Sequence, residues 1–184
     1  LIQFAELQLE YVSEEEQVAQ PEKQTVDTST VKGSAALDGG QGILQIFDGS
    51  VDSKVCIANT TTLWVSAKLT APAAVNMYKI ASANDHDPRD PKDWTLYGSN
   101  DGETWVALDV RSDEDMPERN TYYTYTFNNA TEYLYYKLDV TSNVGQDAVG
   151  LQVVQFSEWQ LFVAEVAEEE KPQPEKQTVD TSTV

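Results

Sequence analysis

Tyr123-Thr124-Tyr125-Thr126-Phe127 and Tyr133-Leu134-Tyr135-Tyr136-Lys137-Leu138-Asp139-Val140 carry the pattern that decides the fold. Aromatic and aliphatic side chains recur there at every second position, the period of a strand with one buried face. Asn128-Asn129-Ala130-Thr131 between them are turn formers. The same reading extends outward to strands over residues 63–69, 75–82, 94–98, 105–110 and 151–162. No stretch of a dozen residues has the 3.6-residue apolar period of a competing helix. The expected fold class is all-β, a sandwich or barrel of antiparallel strands.

The connections alternate in length. Short turns follow Leu69, Gly98 and Asn128, whereas residues 48–62, 83–93, 111–121 and 141–150 form long ones. If successive strands run antiparallel, alternate connections fall at the same end. The four long loops then share one rim, and loops held on a rigid scaffold are where binding function concentrates.

Outside this region the chain repeats itself. Gln20-Pro21-Glu22-Lys23-Gln24-Thr25-Val26-Asp27-Thr28-Ser29-Thr30-Val31 recurs unchanged as residues 173–184, and Gln3-Phe4-Ala5-Glu6-Leu7-Gln8-Leu9 reads like Gln155-Phe156-Ser157-Glu158-Trp159-Gln160-Leu161. Self-similarity at a fixed offset is the signature of a tandem array. Residues 1–12 read as the closing strand of a preceding repeat and 13–26 as an acidic Pro/Glu/Gln linker. Residues 27–163 read as the sandwich, and 164–184 as a linker with the start of the next repeat. Like charges and proline keep such linkers extended. Two readings of Leu1 to Leu9 are open. It belongs to the preceding unit of the same chain, or it completes a neighbouring copy by strand addition.

Twelve Lys and Arg against 31 Asp and Glu leave a formal net charge of −19. That charge repels phosphate backbones and anionic lipid, which argues against nucleic acid and membrane-surface partners. No segment reaches the roughly 18 apolar residues of a membrane helix, and the first residues lack a basic secretory n-region. The single Cys56 forms no internal disulfide and reads as a small buried hydrophobe. With His86 as the one histidine, neither a His-based triad nor a typical zinc site is expected. Asp113-Glu114-Asp115 reads as solvated charge, so no enzyme activity is expected. Asn59-Thr60-Thr61 and Asn129-Ala130-Thr131 match glycosylation acceptors and equally read as turns.

A series of ordered motifs then resembles one family. Phe47-Asp48-Gly49, Ser82-Ala83-Asn84-Asp85, Arg89-Asp90-Pro91-Lys92-Asp93-Trp94, Gly98-Ser99-Asn100-Asp101-Gly102-Glu103-Thr104-Trp105 and the closing Gln152 to Phe162 are similar to the discoidin, or coagulation factor 5/8 type C, family. That family includes the bacterial family 32 carbohydrate-binding modules. The resemblance spans about residues 27–163 and implies a galactose-binding-like jelly-roll β-sandwich of two antiparallel sheets. Relatives often carry a tryptophan after the Ser-Lys that follows the Asp-Gly turn, whereas Ser53-Lys54 here leads into Val55-Cys56.

Within these motifs, Ser99-Asn100-Asp101-Gly102 reads as a turn between strands with Trp94 and Trp105 as core aromatics on either side. Arg89 and Asp90 read as an ion pair tying a loop to the sheet. The resemblance implies a possible structural calcium ion at Asp48, Ser50, Ser53 and Glu158, hard oxygen donors of the type that ion takes. The alternative is an Asx turn at Asp48 and loop amides bound by Glu158. Sugar recognition calls for a stacking ring with planar polar groups, and the rim offers His86, Arg111, Arg119, Asn120, Tyr122 and Asn143. Arg119 equally reads as a charge offset to Asp113, Glu114, Asp115 and Glu118.

The expected function is that of a non-catalytic, extracellular or cell-surface repeat module in a tandem-repeat or filament-forming protein. It would serve adhesion and spacing, with neighbouring copies and glycans as partners. The alternative is a carbohydrate-binding module that targets a secreted glycoside-active enzyme.

Overall fold

The computed structural model describes residues 19–146 and 150–165. Residues 1–12 and 173–184, which carry the closing-strand and repeat-start readings, lie outside that range.

Eleven strands run in chain order among the described residues: β1 (Glu22–Lys23), β2 (Val26–Gly33), β3 (Val55–Ala58), β4 (Leu63–Ala73), β5 (Met77–Ala81), β6 (Pro91–Ser99), β7 (Val106–Arg111), β8 (Tyr122–Thr126), β9 (Tyr133–Asn143), β10 (Val153–Phe156) and β11 (Glu158–Val163). Two short 3-10 turns, Ile43–Phe47 and Asp87–Arg89, interrupt them. The strands build a five-stranded sheet ordered β2-β4-β9-β6-β7, a four-stranded sheet ordered β1-β11-β5-β8, and the small pair β10-β3. Every pairing is antiparallel. This is the expected jelly-roll sandwich. Among the described residues no helix is long and apolar enough to cross a membrane.

Alternation explains the layers. Leu63, Val65, Ala67 and Leu69 of β4, Tyr136, Leu138 and Val140 of β9, and Trp94 and Leu96 of β6 are buried on one side. They meet Tyr78 and Ile80 of β5, Trp159 and Leu161 of β11, and Tyr125 of β8 from the opposite sheet in one continuous core. Gly98 occupies an inward position on β6 because the Tyr133 ring lies where a side chain would begin, 2.6 Å from an ideal Cβ.

A polar ladder laces the two sheets inside this apolar layer. Trp94 Nε1 donates to the Tyr78 hydroxyl at 2.8 Å, which donates to Asp109 Oδ2 at 2.7 Å. Arg111 Nε reaches the same carboxylate oxygen at 2.7 Å, and its Nη2 donates to the Thr126 carbonyl at 2.8 Å. Burial pushes the Tyr78 hydroxyl well above the ordinary tyrosine range, so it remains a donor.

The turn expected after Leu69 is strand, because β4 runs on to Ala73. The strands and core depart from the sequence reading in four further places. The expected strand over 151–162 is two strands in different sheets: the chain breaks at Ser157, whose N–H donates to the Ala81 carbonyl at 2.8 Å. Residues 153–159 are all buried, so no alternation marked the switch. The connection over 48–62 contains β3, which pairs with β10. The dodecamer, in part assigned to a linker, forms β1 and most of β2. Glu22 lies opposite Val163, and Val26 opposite Leu69. Between Asp27 and Lys32 the β2 register slips, and Thr30 Oγ1 there accepts the Lys68 N–H at 3.0 Å. Finally, Trp94 is a core residue, but Trp105 lies half-buried on the outer face of the five-stranded sheet beside Lys137.

Tyr136 tests the core's dependence on internal hydrogen bonding. Its buried hydroxyl donates to the Ala73 carbonyl at 2.6 Å and accepts the Val75 N–H at 3.2 Å. Tyr136→Phe removes the hydroxyl partner of both backbone groups while keeping the ring. We expect a loss of about 1–3 kcal/mol, read as a lower urea midpoint at unchanged slope.

Candidate functional site

The long connections do meet at one rim, and hydrogen bonds between loops hold them there. Ser82 N–H donates to the Thr121 carbonyl, Val144 N–H to Asp90 and Gly145 N–H to Pro88. Lys54 Nζ reaches Asp85 Oδ1 at 2.5 Å and Asn84 Oδ1 at 2.9 Å, and Gln155 Nε2 donates to the Asp85 carbonyl. Although burial opposes it, the bonds from Lys54 and Gln155 hold the Asp85 carboxyl below the usual carboxylate range. The short turns close the other end, where Asp101 Oδ1 accepts from Glu103 and Thr104 N–H at 2.8 and 2.7 Å and Gly102 adopts φ +73°. The Asn129 amide nitrogen donates there to Val75 and Thr131 carbonyls.

Asp90 is a buried charge at the rim. Its carboxylate is 1% exposed and bound by both terminal nitrogens of Arg119. The pair expected between Arg89 and Asp90 is therefore corrected: Arg119, from the loop facing it, grips Asp90 and also donates to the Met116 carbonyl. Burial pushes the Asp90 carboxyl up to about 6 against the pull of the guanidinium.

The six residues expected to hold sugar fall into different environments. Arg119 is committed to Asp90, and Arg111 lies in the inter-sheet ladder with its guanidinium 5.2 Å from the Tyr125 ring centre. Asn143 is buried and braces its own loop, donating to the Gly145 and Val153 carbonyls at 2.9 and 2.7 Å. His86 and Asn120 both have left-handed backbones, φ 49° and 52°, and shape loop ends. His86 is exposed, whereas the Asn120 side-chain oxygen is buried. Tyr122 stands at the rim, 37% exposed.

The structure brings the four expected metal-binding residues together. The 3-10 turn over Ile43–Phe47 ends at Asp48, and Gly49 at φ +82° turns the loop toward β11. Asp48 Oδ1 accepts the Ser50 N–H at 2.8 Å and Oδ2 the Ser53 hydroxyl at 2.6 Å. Glu158, 1% exposed, accepts the Gly49 N–H at 2.8 Å. Burial raises its carboxyl above the ordinary range, and neighbouring Asp48 adds to the push. Among the described residues no three His, Cys, Asp or Glu side chains converge. A cation here would rest on two carboxylates with hydroxyl and carbonyl oxygens, and that donor set fits a hard ion.

Tyr122 belongs to the same patch through a residue the sequence reading missed. Gln160 Nε2 donates to the Tyr122 hydroxyl at 2.9 Å and approaches Glu158 Oε2 at 3.3 Å. Burial, then the charges of Glu158 and Asp48, raise the Tyr122 hydroxyl above its usual range. The missed signal was the period-two spacing from Glu158 to Gln160, which puts both on the same face of β11.

Comparison with known proteins agrees with this fold. The profile of the F5/F8 type C group described as the NedA-like, galactose-binding domain matches residues 45–138. A family 32 module of Clostridium perfringens solved with GalNAc-β-1,3-galactose superposes at TM-score 0.60 and 16% identity, over 72% of this chain and 94% of that one. The family 32 module of NanJ from C. perfringens, in complex with galactose, gives 0.59 and 14% over 77% and 99%. The module of AlyQ, in complex with 4,5-unsaturated mannuronic acid, gives 0.58 and 15% over 77% and 98%. Among curated proteins, a peptide-N(4)-(N-acetyl-β-glucosaminyl)asparagine amidase of Arabidopsis thaliana is 54% identical over 43 residues, 23% of this chain. The chain spans 6% of that relative's length. Matched in profile over half its length and in fold over most of it, the chain belongs to the F5/F8 type C family of galactose-binding-like domains.

Proposed function

We propose that this domain is a non-catalytic carbohydrate-binding module, repeated along a secreted or cell-surface polypeptide where it serves attachment and spacing. The observation that carries the binding role is the connected patch Tyr122–Gln160–Glu158–Asp48. It combines a partly exposed ring with an amide and carboxylates on a rim braced by loop-to-loop bonds. A pyranose uses such a set, its apolar face on the ring and its hydroxyls on planar polar groups. The galactose and GalNAc-galactose complexes of similar modules support the same ligand class. Burial of Glu158 and its bond from a loop amide argue against a role for it in turnover. The repeated role rests on the dodecamer, which forms β1 and most of β2 in this unit and recurs at residues 173–184. Neighbouring copies are then its partners along the chain, and Leu1 to Leu9 is the segment suited to strand addition.

A second reading, a module that targets an attached enzyme, is favoured by one comparison. A similar domain is joined to an alginate lyase domain in AlyQ. The parent polypeptide separates the two: successive copies without a catalytic domain support the first, one copy beside a hydrolase or lyase the second.

Calcium is proposed at Asp48, Ser50, Ser53 and Glu158, where it would neutralise the paired carboxylates and anchor the loop to β11.

Galactose-containing glycans on an array are expected to bind, with Tyr122→Ala weakening them about tenfold or more. An array without binders overturns the reading. Calcium is expected to raise the melting temperature, and more at pH 8 than at pH 5. Glu158 must be ionised to bind the ion, and burial raises its carboxyl, so at the lower pH it holds its proton more than an ordinary glutamate does. Identical melts in chelator and in millimolar calcium overturn the metal proposal.

A further inference from the structure

We propose a second saccharide site, specific for acidic sugars, on the outer face of the five-stranded sheet. It shares with the preceding section only the premise that the ligand is a carbohydrate; its location and residues are separate from the rim.

The outer face of an antiparallel sheet is ordinarily polar. Here the strand registers align a row of rings and ammonium groups. Trp64 on β4 lies opposite Asp139 on β9, Ser66 opposite Lys137, and Lys68 opposite Tyr135. On the other side of β9, Tyr97 of β6 is also paired with Lys137. Lys32 of β2 lies opposite Ser66. Trp105, just before β7, folds over the same face. Lys32, Trp64, Trp105, Lys137 and Asp139 line a cleft of about 250 Å³ with Gly102 at its edge.

The cleft is built rather than incidental. Lys137 Nζ lies 4.3 Å from the Tyr97 ring centre and 5.1 Å from that of Trp105, with Asp139 Oδ2 at 3.9 Å. Three neighbours therefore hold one ammonium group in place, while Lys32 remains exposed at the opposite wall. Trp64 is 37% exposed. Aliphatic and aromatic alternation alone requires none of this, because the inward face already supplies the core.

The chemistry of the walls selects the ligand. Indole faces stack against the C–H face of a sugar ring. Asp139 accepts a sugar hydroxyl. Two ammonium groups against one carboxylate leave a local excess of positive charge in a chain of net charge −19. Such a reversal favours an anionic group and discriminates against neutral glycans. A uronic acid residue supplies both requirements, a ring to stack and a carboxylate to pair.

The test is a titration of the full chain with a galacturonic acid trisaccharide, with the galactose trisaccharide as the neutral control. The indole N–H signals of the four tryptophans are followed by NMR. The Trp64 and Trp105 signals should shift with the acidic ligand, while those of buried Trp94 and Trp159 should not. Lys32→Glu, at an exposed position, and Trp105→Ala should each weaken the acidic sugar about tenfold or more, and added salt should weaken it further. Tyr122→Ala should leave that affinity unchanged. If acidic-sugar binding survives Lys32→Glu and is lost in Tyr122→Ala, it belongs to the rim and the sheet site is overturned. No binding of the acidic sugar alongside normal binding of the neutral one also overturns it, and leaves the rim reading standing. Shifts produced equally by both trisaccharides at Trp64 and Trp105 overturn its specificity for acid.

Discussion

Two sheets must turn their apolar faces toward each other, and every other feature of this domain follows from that division of side chains. A strand places alternate residues on opposite faces, so burying Tyr136, Leu138 and Val140 obliges Tyr135, Lys137 and Asp139 to face outward. The inward set makes one continuous core. Within it, Trp94, Tyr78 and Asp109 spend their polar atoms on one another, and Arg111 carries that ladder across to β8. A half-satisfied network would be costly in such surroundings, and here each member has a partner.

The rim shows how the same scaffold turns loops into a fixed surface. Long loops seldom hold a defined shape by local preference, so they need anchors. Asp90 under Arg119, Lys54 on Asp85, and Glu158 on the Gly49 amide supply three. Each anchor joins residues far apart in the chain, and the first two remove charged groups from the set available to a ligand. What remains accessible is modest, chiefly the Tyr122 ring and the polar groups beside it. That economy suits the repeated module proposed above, whose affinity would be multiplied by copy number rather than by one deep pocket.

Much of this was legible in advance. Strands expected over 63–69, 75–82, 94–98, 105–110, 123–127 and 133–140 all occur, because alternation of strong β-formers is a local signal, but their ends shift: β4 runs on to Ala73, β5 shortens to Met77–Ala81, β6 starts at Pro91 and β9 runs on to Asn143. The turn at Ser99-Asn100-Asp101-Gly102 was readable for the same reason. β2 and β3 were not legible. Val-Asp-Thr-Ser-Thr-Val has little apolar content, and it becomes a strand because β4 offers it a ladder of hydrogen bonds. In the site, clustering of Asp48, Ser50, Ser53 and Glu158 was anticipated through family resemblance. The commitments of Arg111, Arg119 and Asn143 were hidden, since their partners lie on other strands and loops.

The sequence by itself determined the fold class, the central strands from β4 to β9, the acidity and the recurring dodecamer, all of which can be read along the chain. Only the tertiary structure decided that Trp94 is core while Trp105 is surface, that Arg119 rather than Arg89 holds Asp90, and that lysines and indoles gather on one sheet face. Those outcomes depend on register between strands. Register is set when both sheets bury their apolar faces at once, a condition no single segment can express.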